Sequence, residues 1–130
     1  MNDIYNNVSL AESLAPAART SSENGAGVSM QGYNGALVII HAGNWTDGTH
    51  AFEVQESDDD VTYTAVADAD LQGSEPTVSD DNTDDQIYKI GYVGDEDYIR
   101  VVQTVTGTPA TGLVSGVAIL RGFPRKSPVS

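Results

Sequence analysis

Several groups of residues have the types and spacing to do chemistry, and the most conspicuous are acidic. Asp58–Asp60, Asp80-Asp81 with Asp84-Asp85, and Asp95–Asp97 gather carboxylates into short runs. Calcium is a hard cation that takes several carboxylate or carbonyl oxygens, so these runs are candidate ligand sets. Asp80, Asn82 and Asp84 follow the first three ligand positions of a calcium loop. The pattern then departs, with Asp85 where that loop needs glycine and Gly91 where it needs a bidentate glutamate. Aspartate and asparagine also bond their own backbone in turns. The expectation is therefore solvated turns, no metal and no cofactor, with Asp80, Asn82 and Asp84 as weak metal candidates.

His41 and His50 are the only histidines. A Ser–His–Asp triad needs one of them in a cleft beside a serine. His41 ends an apolar run, His50 follows a Gly-Thr turn, and no Gly-x-Ser-x-Gly nucleophile motif is present. Neither a P-loop nor a Gly-x-Gly-x-x-Gly turn occurs. Structural histidines and a non-enzymatic protein are expected. Trp45, Tyr33, Tyr63, Tyr88, Tyr92 and Tyr98 have the chemistry of a sugar-stacking platform, but the same rings fill any β core while showing a polar tip. Three of the 6 basic residues, Arg121, Arg125 and Lys126, fall in the last ten positions. With Phe123 and Pro124 they form a candidate partner-binding tail. Such a tail is either a solvated terminus or a tether across an acidic neighbour.

The elements that must position these residues are short strands. A chain of 130 residues supports one domain with a real core. Its 39% hydrophobic content and 13 glycines favour many strands and turns over long helices. A net charge of -13 disfavours nucleic-acid binding, because phosphate repels such a surface. With no cysteine there is no disulfide or thiolate site, which suits folding in a reducing cytoplasm. No signal peptide is expected, and no apolar run approaches the roughly 20 residues of a membrane helix.

Residues 1–14 read as an N-terminal arm, with room for a short helix over Ser9–Leu14 ended by Pro16. Ala15 to Thr20 reads as an edge strand, where proline is tolerated. Asn24-Gly25 and Asn34-Gly35 mark turns around a short strand at Val28 and Met30. Ala36 to Ala42 is the most hydrophobic run, predicted as a central strand covered on both faces. Ala51–Ser57 alternates and returns through Asp58–Asp60 into Val61–Val66. Thr77-Val78 is a further short strand, and Gln86–Val93 another. The last two β-rich runs, from Tyr98 and from Leu113, flank a Gly/Pro loop and read as a long hairpin. The whole predicts an all-β sandwich or jelly roll of about eight antiparallel strands over residues 15–120, followed by a basic extended tail over 121–130.

Taken together, several runs resemble small virion proteins from the head region of tailed bacteriophages. They are Ser13–Thr20, Gly43–His50, Gln55–Asp60, Tyr92–Gly94 with Tyr98–Val101, and Leu120–Pro124. The resemblance implies a capsid decoration, or cement, protein made in the bacterial cytoplasm and located on the virion surface. Its implied partners are the major capsid protein and neighbouring copies of itself, in a homo-oligomer with a trimer favoured, and neither nucleic acid nor membrane. A head–tail connector or tail component, and a carbohydrate-binding module, are the alternatives.

Overall fold

Period-two alternation decides which side chains enter the core, and it places seven strands or strand fragments before residue 73. The computed structural model of the chain describes residues 8–80 and 82–124. The strands are β1 (Val8–Arg19), β2 (Glu23–Asn24), β3 (Val28–Ser29), β4 (Tyr33–Trp45), β5 (Thr49–Ser57) and β6 (Thr64–Ala65). After a single 3-10 turn at Asp68–Asp70 come β7 (Leu71–Gln72), β8 (Thr77–Val78), β9 (Gln86–Tyr92), β10 (Tyr98–Thr106) and β11 (Leu113–Pro124). One sheet has the order β1-β11-β4-β9-β7. The other runs β2-β10-β5-β6, with β3 beside β10 and β8 beside β5. All pairings are antiparallel. The fold is an all-β sandwich, as the strand spacing predicts. It has eleven strands among the described residues rather than about eight; five are two-residue pairings, of which Glu23–Asn24 and Leu71–Gln72 carry no strand pattern in the sequence.

The core lies between the sheets. Val38 and Ile40 of β4, Val117 and Ile119 of β11, and Ile90 and Tyr92 of β9 face inward from one side. Phe52 and Val54 of β5 and Ile99 and Val101 of β10 meet them from the other. Burying a residue of this size contributes about 1.5–3 kcal/mol, so this one layer is the main source of stability.

Four local expectations are corrected. Ser9–Leu14 is not a helix: it belongs to β1, which pairs with β11 along its length as the edge strand of the first sheet. Arg121–Pro124 is the last stretch of β11 rather than a tail, with Pro124 opposite Tyr33. Residues 1–7 and 125–130 of the expected arms lie outside the described residues. The runs from Tyr98 and Leu113 do not pair as a hairpin. β10 lies in one sheet and β11 in the other, so the loop 107–112 is an arch across the sandwich. Finally, β4 is central in its sheet, but the second sheet covers only one of its faces.

A bulge in β1 ties one edge of the sandwich together. The register shifts between Glu12 and Leu14, which turns Ser13 toward the second sheet. The buried Ser13 hydroxyl donates to the Ala26 carbonyl at 3.0 Å and accepts the Val101 N–H of β10 at 3.1 Å. Gly25 occupies the gap between β2 and β3, and its N–H bonds the Val101 carbonyl at 2.8 Å. A Cβ there would lie 2.3 Å from Ser13 Oγ, so only glycine fits. Replacing Ser13 by alanine orphans a buried backbone N–H and is expected to cost about 1–3 kcal/mol. Replacing exposed Ser21 should cost less than about 0.5 kcal/mol. Urea midpoints of the two variants test the difference.

Candidate interaction surface

Of the basic residues expected to meet a partner, Arg121 is the one among the described residues. Arg121 points back into the molecule. Its guanidinium donates to the Ser29 carbonyl and to Ser9 Oγ, each at 2.9 Å, and lies 5.0 Å from the Tyr33 ring centroid. It thus joins β11 to β1 and β3. Phe123 and Pro124 continue β11, while Arg125 and Lys126 lie outside the described residues. Arg100 is also engaged, donating to Gln55 and stacking 4.1 Å from the Tyr63 centroid.

Of the calcium candidates, Asp80 is engaged within its own loop. Asp80 Oδ1 accepts from the Asn82 N–H and the Thr83 hydroxyl, each at 3.0 Å. Asp84 turns away and accepts the Trp45 N–H at 2.8 Å. Among the described residues, no group of three acidic or histidine side chains is placed to hold a metal ion. The aromatic residues are dispersed. Tyr92 is in the core with its hydroxyl on Glu56, Trp45 bonds the Gly48 carbonyl through its indole, and Tyr88 bonds the Thr83 carbonyl. Tyr63 and Tyr98 lie on the outside of the second sheet, Tyr33 at the end of the sandwich.

His50 is fully buried in a polar chain that crosses the core. Gln103 Nε2 donates to His50 Nδ1 at 2.9 Å, and the Ser115 hydroxyl donates to Gln103 Oε1 at 2.8 Å. His50 Nε2 lies 3.0 Å from the Asp47 carbonyl, to which it donates. Every member is satisfied and the serine meets an amide rather than the imidazole, so the chain links the sheets and holds no nucleophile–base pair. The Asp47 carboxylate then clasps the arch, accepting the N–H groups of Ala110 at 2.7 Å and Gly112 at 2.6 Å. Gly112 has φ +78° and its backbone passes against the Arg19 carbonyl, which excludes any larger residue.

What the sequence reading missed is the outer face of the first sheet. Leu37, Ile39 and His41 of β4 point there, between Ala118 and Leu120 of β11 and Ile87 and Lys89 of β9. Leu10, Ile87 and Val114 are 66%, 68% and 45% exposed. A groove of about 530 Å³ runs over Gly116 and Ala118 between β1 and β4, bounded by Leu10, Glu12, Pro16, Ile39 and His41. The signal was present in the sequence: β4 and β11 are apolar at odd and even positions alike. For Ala36–Ala42 that pattern predicts cover on both faces, and the second sheet supplies one of them. The face is also nearly free of charge. Among the described acidic residues, only Glu12 lies in β1, β4, β9 or β11. The bases of these strands are Arg19, Lys89 and Arg121, of which Arg19 is buried against Glu23 and the Ser115 carbonyl. Comparison with protein-family models, with curated proteins and with solved structures finds no match to this chain.

The carboxylates outside this face divide by environment. Backbone N–H groups of Gly112 and Ala110 hold the Asp47 carboxyl below the usual carboxylate range, and those of Thr62 and Val61 do the same for Asp59. Desolvation pushes Glu75 up, helped by Glu53, and pushes Glu96 up, helped by Glu56 and Asp58. A depressed acid adds stability above its unfolded pKa that is lost as pH falls through its folded pKa. A raised acid does the reverse, and its penalty is relieved as pH falls through its folded pKa. Thermal stability should therefore rise from pH 7 toward a maximum at about pH 4–5, then fall in stronger acid. A melting temperature that declines steadily from pH 7 to 4 would contradict this, and Asp47→Asn should flatten the acid limb.

Proposed function

We propose that this chain is a non-enzymatic structural protein of a virion that works by docking to other protein subunits. The observation that supports it most is the open apolar face on β4 and its neighbours, in a chain whose acidic residues lie almost entirely elsewhere. Exposed apolar patches of this kind mark protein–protein contact surfaces. The resemblance to phage head proteins supplies the setting: a decoration protein on the capsid exterior, bridging coat subunits as a small homo-oligomer. Its partners are the major capsid protein and further copies of itself. The net charge of -13 argues against nucleic acid as the partner. A symmetric shell multiplies each weak contact by the number of subunits, so a modest apolar face suffices for firm attachment.

Copy number in purified particles distinguishes the readings. A decoration protein is expected at an abundance comparable to the coat protein by gel densitometry and mass spectrometry. A single ring of copies per particle would instead support a head–tail connector or tail component, and absence from the particle would end the virion reading. Removing residues 125–130 leaves β11 whole. That truncation is expected to lower occupancy on the particle through loss of Arg125 and Lys126, and unchanged occupancy would take the basic terminus out of the docking account.

A further inference from the structure

We propose that the outer face of the first sheet packs against the same face of a second copy of this chain, about a two-fold axis parallel to the strands. This rests on the docking reading above and names the subunit that covers the face. The axis runs between β11 and β4, the two middle strands of the four long ones.

The register carries the inference. Glu12 pairs with Ala118, Ala118 with Ile39, and Ile39 with Lys89, so these residues form one row across β1, β11, β4 and β9. Ala118, Ile39 and Lys89 point outward, because their strand neighbours Val38, Ile90, Val117 and Ile119 are in the core, and exposed Glu12 borders the same groove as Ile39 and Ala118. The row therefore has one acid at one end, one base at the other, and a small and a large apolar residue between them. A two-fold axis along the strands reverses the row. It places Glu12 opposite Lys89 of the second copy, and the small Ala118 opposite the branched Ile39 of the second copy. Both pairs occur twice, as an isologous contact requires. In the next row, Leu37 and Leu120 meet their counterparts across the axis in the same way.

The charges also choose between axes. A two-fold perpendicular to the strands through this row would set Glu12 against Glu12 and Lys89 against Lys89, which like-charge repulsion opposes. Strands inclined by about 15° to the axis would give the roughly 30° crossing usual for aligned sheets. The remaining acids among the described residues lie on the far sheet, in the 3-10 turn and in the loops, away from this contact. The pairing is two-fold, where the resemblance favours a trimer.

Sedimentation equilibrium on the full chain, from micromolar to submillimolar concentrations, tests it. The expected result is a dimer. Glu12→Lys and Lys89→Glu each place two like-charged pairs in the contact, and each is expected to raise the dissociation constant about tenfold or more. The double variant E12K/K89E restores opposite charges and should recover the native constant. Both side chains are exposed, so unchanged circular dichroism is expected in all three variants. A chain monomeric at every concentration, a trimer, or a dimer indifferent to the swaps would overturn the two-fold pairing. If that monomeric chain still occupies capsids, the docking reading stands and a coat subunit covers the face. If it dimerises with the expected charge dependence but is missing from particles, the pairing stands and the virion reading falls.

Discussion

A strand that is apolar on both faces needs two covers, and this chain provides one. β4 presents Val38, Ile40 and Ala42 to the second sheet and buries them completely. Leu37 and Ile39, on the other side, remain partly exposed. Covering a residue of that size contributes about 1.5–3 kcal/mol, so a few of them at an interface are enough to matter against the cost of association. Placing β4 in the middle of the sheet, between β11 and β9, also puts its uncovered face in the middle of the sheet's outer side. The geometry of the core thus determines where the open surface lies.

The sandwich is held in one arrangement by a small number of polar links as well as by its apolar layer. Ser13 joins β1 to β10, the chain through Ser115, Gln103 and His50 joins β11 to β10 and β5, and Asp47 fastens the arch between β10 and β11. An apolar layer alone tolerates sliding of one sheet over the other. A buried hydroxyl or amide does not, because losing its partner leaves a polar atom desolvated. These links hold the first sheet in one register on the second, which a self-complementary contact needs.

The sandwich class was legible from alternation in Ala51–Ser57 and from turn residues at regular spacing. The edge position of Pro16 was legible as well, because proline cannot donate to a ladder on both sides. The arch at 107–112 was not. A hairpin and an arch use the same turn residues, and the choice here is made by Asp47, sixty-three residues before Ala110, reaching over to cap the loop. The helix expected at Ser9–Leu14 failed because local propensity is weak, whereas pairing with β11 satisfies the backbone of the whole segment. Arg121 misled for a related reason: in sequence it belongs to a basic cluster, yet the alternation of β11 turns it inward to Ser29 and Ser9. The dispersal of the acidic runs into turns was readable, since Asp59 and Asp80 bond the backbone just beyond themselves.

The segregation of charge has a consequence for how the molecule meets a partner. Acids on the loops and the second sheet make most approaches between two copies repulsive, and this repulsion acts over about 8–10 Å at moderate salt. The outer face of the first sheet is the approach on which the repulsion is weakest, and there the apolar contact gains most. In the proposed pairing, the same charges that oppose other approaches leave this face as the one where association is least opposed. Salt screening then has opposite effects on the two processes: it weakens the Glu12–Lys89 attraction, and it also relaxes the long-range repulsion between the acidic surfaces. Because the second effect involves many charges and the first only two pairs, raised ionic strength should favour association overall while loosening its register.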